Sequence, residues 1–234
     1  NGIILDMRNN PGGLLNSSVA VSAAFLKEGD LVVYTEGRAP DSKMNLTTSP
    51  DNFIRNGDEK NNFLKDLPLD IKDTPMVVLI NNGSASASEI VAGALQDHKR
   101  ALIVGTRSFG KGSVQSILPM MNGTAIKLTT ARYFTPNGRS IQGKGIVPDI
   151  VVEDGMGDLA IREADLNNSL SNPEDNITDA KETKPDLKEV KEGPTGDGSE
   201  ALRNFKPTKF GEKDDKQFIE ALNILKGIDL YQKN

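Results

Sequence analysis

The first part of the chain alternates short apolar runs with amphipathic stretches. Ile3 to Met7, Leu31 to Thr35, Met76 to Ile80 and Leu102 to Gly105 are compact, mostly apolar segments set off by turn-forming or polar residues, the pattern of strands. Leu14 to Leu26 and Ser86 to His98 carry apolar residues at helical spacing. In the second of these, Ile90, Val91, Ala94 and Leu95 form one stripe suited to core packing. Strands alternating with helices predict an α/β fold. Val114 to Leu118 and Ala125 to Tyr133 alternate like antiparallel strands joined through Asn122-Gly123, a dipeptide that supplies positive φ in a hairpin. A mixed sheet with flanking helices is therefore expected. The polar, turn-rich stretch from Pro40 to Asp73 predicts a long loop or small lobe over one end of the sheet.

After Val152 the pattern changes. Residues from about 165 to 213 are dominated by charged and turn-forming residues, which predicts an acidic, partly disordered linker. Order is expected to return in a helix over about 214–226, where Phe218, Ala221, Leu222 and Leu225 share a face and Gly227 offers a stop. The division expected is a core over residues 1–152 and a carboxyl-terminal extension over 153–234.

Composition removes several classes of function. The chain has 234 residues, a net charge of -5, one histidine and no cysteine. Thiol catalysis, disulfides and most structural zinc sites are excluded. No basic cluster marks a nucleic-acid surface, and no apolar run approaches the roughly 20 residues that a bilayer requires. The opening Asn1-Gly2-Ile3-Ile4-Leu5-Asp6 looks like the middle of a buried strand, so a fragment of a longer protein is expected and missing targeting signals carry no weight.

Chemistry concentrates at two loops. Asn81-Asn82-Gly83-Ser84-Ala85-Ser86-Ala87-Ser88-Glu89 connects the strand at Met76 to the helix at Ser86 through small residues. A serine there is exposed at a helix N-terminus, where free N–H groups can stabilise an oxyanion. Ser86 and Glu89 equally fit a capping box, which is structural. A serine nucleophile needs a base. His98 lies about 18 Å along the same helix and suits a helix-end cation better. Lys111, in Gly105-Thr106-Arg107-Ser108-Phe109-Gly110-Lys111-Gly112, can serve if an apolar pocket keeps its amine neutral. The same residues satisfy the glycine and lysine spacing of a phosphate-binding P-loop, but Gly112 replaces the expected Ser or Thr and the next residues alternate like a strand.

Taken together, Leu5-Asp6-Met7-Arg8-Asn9-Asn10-Pro11-Gly12-Gly13, the Asn82 to Leu95 stretch, Phe109-Gly110-Lys111-Gly112-Ser113-Val114-Gln115 and Thr135 to Asp149 resemble the carboxyl-terminal processing, or tail-specific, serine proteases. The resemblance covers roughly the first 152 residues. It implies a crotonase- and Clp protease-like core, with Ser86 as nucleophile, Lys111 as base and Gln115 as the residue that orients the lysine. It further implies an oxyanion hole made by the N–H of Ala87 with that of Gly12 or Gly13, and no cofactor or metal. Substrates would be polypeptides engaged by their carboxyl-terminal tails. An upstream PDZ domain, absent here, and a periplasmic or cell-envelope location would complete the picture. Two other functions are weighed against it: nucleotide binding at the Lys111 loop, and a truncated, non-catalytic binding module.

Overall fold

The computed structural model describes residues 2–39, 42–54, 62–153, 161–166, 169–173 and 210–232. The strands are β1 (Ile3–Asp6), β2 (Leu31–Gly37), β3 (Met44–Thr47), β4 (Met76–Ile80), β5 (Leu102–Gly105), β6 (Ser113–Pro119), β7 (Ala125–Phe134) and β8 (Ile150–Val151). The helices are α1 (Leu15–Phe25), α2 (Ala87–Asp97) and α3 (Lys216–Gln232). Both kinds of strand pairing expected of a mixed sheet are present, and they are divided between two four-stranded sheets. One is parallel, ordered β1-β4-β5-β8; the other is antiparallel, ordered β3-β2-β7-β6.

Every residue of β4 is buried, as a parallel strand covered on both faces must be. Met76, Val78 and Ile80 pack with Val19 of α1, with Leu26 just after it, and with Ile90, Val91, Ala94 and Leu95 of α2. Val77 and Leu79 point the other way, against Ala221 and Leu225 of α3. The extension thus supplies the second cover of the parallel sheet. The helix expected over 214–226 runs on to Gln232, and Gly227 lies inside it instead of ending it. One glycine costs a helix only about 1 kcal/mol, too little by itself to end it. Most of the expected acidic linker falls outside the described residues. Among the described residues no helix is long and apolar enough to cross a membrane.

The polar stretch after β2 contains the short strand β3, which pairs antiparallel with β2, followed by brief turns at Pro50–Asn52, Phe63–Asp66 and Leu69–Lys72. Packing of Phe53 on Phe63, with ring centroids 5.9 Å apart, ties this region together.

The carboxyl end of β1 is joined to α3 by a buried ion cluster. Arg8 and Asp215 side chains are each 1% exposed. Arg8 donates through Nη1 to Asp215 Oδ1 at 2.8 Å and through Nη2 to Asp215 Oδ2 at 2.7 Å. Its Nε and Nη2 reach Asp6 at 3.0 and 2.6 Å, and Nη1 also reaches Gln217 Oε1 at 3.1 Å, so every guanidinium N–H has an acceptor. The Phe210 ring lies 4.1 Å from the guanidinium carbon. Asp215 also caps α3, accepting from Phe218 N at 3.1 Å.

Burial by itself would push the Asp215 carboxyl up; hydrogen bonds from Arg8, Gly211 N and Phe218 N, with the guanidinium charge, outweigh it and hold the group below the usual carboxylate value. A depressed carboxylate contributes stability that is present above the unfolded value, about 3.9, and is lost as pH falls through the lower folded value. Asp215→Asn should therefore lower the thermal midpoint at neutral pH, and the gap to the unsubstituted protein should narrow as pH is taken down through the acid range. Thermal melts of both proteins across that range test this; a gap independent of pH would contradict it.

Candidate active site

Three loops leave the carboxyl ends of adjacent strands β1, β4 and β5 and converge, the usual place for a site in a parallel sheet. They carry Arg8 to Gly13, Asn81 to Ser86 and Thr106 to Lys111. The first two are stitched together. Asn9 N donates to Asn81 Oδ1 at 2.8 Å, and Asn81 Nδ2 donates back to Asn9 Oδ1 at 2.9 Å. Asn10 O accepts from Ala85 N at 3.0 Å and from the Ser88 hydroxyl at 3.1 Å. The Ser84 hydroxyl donates to Met7 O at 2.8 Å.

Ser86 stands at the turn from β4 into α2, half-buried, with φ 55 and ψ -115. A serine held at positive φ carries strain of about 1–3 kcal/mol, which persists only where surrounding contacts enforce it. Here they do, because Ser86 N donates to Glu89 Oε2 at 2.8 Å. This is the glutamate half of the expected capping box, with Glu89 at its third helical position.

Gly12, at φ 96, lies against the serine turn so closely that a Cβ on it would sit 2.6 Å from Ala85 O, 2.8 Å from Ala87 N and 2.9 Å from Ser86 Cβ. Only glycine fits. Its N–H donates to Asn10 Oδ1 at 3.0 Å. The N–H groups of Ala87 and Gly13 have no acceptor among the described residues, and Gly13 has open space around it.

Glu89 organises the site, a role the sequence reading reduced to half of a cap. It is fully buried. Oε1 accepts from the Ser108 hydroxyl at 2.6 Å and from Gly110 N at 2.7 Å; Oε2 accepts from Ser86 N and, at 2.9 Å, from Lys111 N. The Ser108 oxygen itself accepts from Ile146 N at 2.6 Å, which commits its proton to Glu89. Burial pushes the Glu89 carboxyl up, against these four hydrogen bonds, which favour its charged form. One carboxylate oxygen thus holds the backbone nitrogens of both Ser86 and Lys111. The available signal was an acid four residues before Gly93, on a helix face packed so tightly that a Cβ at Gly93 would meet Thr135 Cγ2 at 2.8 Å.

The Lys111 side chain is half-buried, and no hydrogen bond joins it to the Ser86 hydroxyl among the described residues. Gln115 lies on β6, exposed and opposite Thr129, just past a register irregularity between Val114 and Gln115. No hydrogen bond links it to Lys111 among the described residues. His98 ends α2 and donates from Nε2 to Leu31 O at 2.7 Å, a structural contact. The Lys111 loop runs into strand β6, so it lacks the helix N-terminus that a P-loop places against phosphate. Among the described residues no group of three or more His, Asp or Glu side chains is placed to hold a metal.

Comparison with known proteins places the chain in a family. A carboxy-terminal-processing protease of Bartonella bacilliformis is 43% identical over 232 residues, which is 97% of this chain and 44% of the relative. A carboxyl-terminal-processing protease of Synechocystis is 43% identical over 152 residues, 65% of this chain and 31% of the relative. The chain thus spans less than half the length of these relatives. Among solved structures, a photosystem II D1 C-terminal processing protease is 36% identical with a TM-score of 0.52, over 65% of this chain and 34% of that one. A Bacteroides fragilis structure described as a putative S41 protease shares the fold over 97% of this chain and 45% of its own, at 16% identity and a TM-score of 0.59. The sequence pattern of peptidase family S41 matches residues 1–152, and the chain belongs to that family.

Proposed function

We propose that this chain carries the reacting groups of a serine endopeptidase that cuts polypeptides at or near their carboxyl-terminal tails, with Ser86 as nucleophile and Lys111 as base. The observation that carries the reading is the shared grip of Glu89 Oε2 on Ser86 N and Lys111 N, at 2.8 and 2.9 Å. The two nitrogens lie no farther apart than the sum of those bonds, so an extended lysine side chain can reach the serine hydroxyl.

In the proposed reaction Ser86 Oγ attacks the scissile carbonyl carbon while its proton passes to Lys111 Nζ. The oxyanion takes N–H groups of Ala87 and Gly13; Gly12 N is already engaged by Asn10. Collapse breaks the C–N bond, the leaving amine takes the proton from Lys111, and an acyl ester remains on Ser86. Water then attacks the ester, giving a proton to Lys111, which returns it to Ser86 Oγ as the acid departs. No metal or cofactor enters. Gln115 is assigned the orienting of the amine on the family resemblance alone.

Strand β6 is an edge of the antiparallel sheet and starts two residues after Lys111. An extended tail can pair with it through main-chain hydrogen bonds, which tolerate varied sequences. Export to the periplasm or cell envelope, and an upstream PDZ domain, belong to the same reading.

A serine-reactive phosphonate tests it. The intact protein should gain one label, on the peptide containing Ser86, and Lys111→Ala should slow the labelling. A label on another residue, or none on an actively cleaving protein, would overturn the assignment.

A further inference from the structure

The Lys111 loop is gripped from two sides, and the proposed reaction uses only one. Glu89 holds Gly110 and Lys111 from within, whereas Gln142 and the chain beyond Val152 hold the loop from without. Gln142 is fully buried. Its Oε1 accepts from Gly112 N at 3.1 Å, the residue after Lys111. Gly112 lies against the Gln142 backbone so closely that a Cβ there would be 2.3 Å from Gln142 N. Gly143 N adds a bond to Gly110 O at 2.8 Å.

Gln142 is itself fixed by the extension. Its Nε2 donates to Leu170 O at 3.2 Å and to Glu163 Oε1 at 3.4 Å, and its carbonyl accepts from Asn172 Nδ2 at 2.7 Å. Asn172, 2% exposed, also donates to Ser140 O at 3.3 Å. Glu163 N reaches the loop directly, donating to Phe109 O at 3.0 Å. Residues 161–166 therefore touch the loop directly at Phe109, and residues 169–172 reach its Gly112 end through Gln142. They lie past the residues that match the family pattern, 1–152.

We infer that Gln142 is a positioning residue for the lysine, and that these two stretches of the extension work through it to set where the Lys111 amine stands. The inference rests on the proposed role of Lys111. A buried amide that only filled space would not need its oxygen on the N–H next to the lysine that Glu89 does not hold. A peptide N–H left buried without an acceptor shifts to find one, and a misplacement of about 1 Å at a reacting group can cost two orders of magnitude in rate.

The test is Gln142→Met in the intact protein, which keeps the volume and removes the acceptor. The expected result is a fall in kcat of about tenfold to a hundredfold with KM little changed. The acid limb of the kcat/KM profile should also move, because the base would sit in altered surroundings. Asn172→Ala loosens the same contact from the other side. It should give smaller changes in the same direction, and the two substitutions together should do no more than Gln142→Met alone. Wild-type kcat with an unmoved acid limb in Gln142→Met overturns the inference. If that variant does not fold, the same outcome in Asn172→Ala overturns it. Failure of the underlying reading looks different: Lys111→Ala would then keep its activity.

Discussion

Alanine at Ser86 or at Lys111 is expected to lower tail-peptide hydrolysis by at least about a thousandfold, while the thermal midpoint stays near that of the unsubstituted protein. The two halves of this expectation have separate physical grounds. Ser86 is half-buried, and the turn that holds it is fixed through its backbone by Glu89. Removing the hydroxyl leaves those bonds intact. It even relieves no strain, since alanine tolerates φ 55 no better than serine does. The Lys111 side chain is half-buried, and its backbone N–H, which alanine retains, makes the bond to Glu89. Function would be lost while the fold is kept. Steady-state hydrolysis alongside thermal melts checks both halves, and a variant that cleaves at the native rate would remove the residue concerned from the reaction.

The second large effect is at Glu89, where fold and function should fail together. Glu89→Ala strips acceptors from Ser108 Oγ and from three backbone N–H groups, those of Gly110, Ser86 and Lys111. A buried donor left without a partner costs about 1–3 kcal/mol. Several such losses, even when not additive, amount to a large share of a net stability of about 5–15 kcal/mol. Glu89→Ala is therefore expected to unfold the protein or to leave it melting far lower. Glu89→Gln separates the two consequences. It keeps the volume and one carbonyl oxygen, but its amide faces N–H groups that need acceptors. A protein that still folds, with kcat reduced about a hundredfold, is the expected result. Measured by circular dichroism melts and hydrolysis, a Glu89→Gln variant with native rate and stability would show that the four-bond carboxylate is not what aligns the two loops.

Local pattern made the candidate residues legible and left their framework hidden. The strands at β1, β4 and β5 were visible because buried parallel strands read as continuous apolar runs, and Ser86 and Lys111 were visible because each sits in a loop of small residues just after such a run. The partition into two sheets was not visible, since pairing between β2 and β7 joins residues roughly a hundred positions apart and leaves no local trace. The cluster of Arg8 with Asp215 and Gln217 spans separations of 207 and 209 residues, and neither partner's neighbourhood announces the other. The same holds for Gln142, whose partners Glu163, Leu170 and Asn172 lie 21, 28 and 30 positions further on. Gly227 misled for a different reason: a glycine's intrinsic preference to end a helix is weak, and the helix continues beyond it to Gln232. Gln115 shows the limit of motif spacing, because the structure places it exposed on an edge strand with no hydrogen bond to Lys111 among the described residues.

The measurement that bears most directly on Ser86 and Lys111 acting as one unit is a double-mutant cycle on hydrolysis of an apolar-tailed peptide. If the amine serves only to take the serine proton, Ser86→Ala, Lys111→Ala and the double variant should show the same residual rate, because either loss already removes the whole step. Losses that multiply in the double variant, or a single variant that cleaves as fast as the parent, would mean that the two side chains do not share a proton.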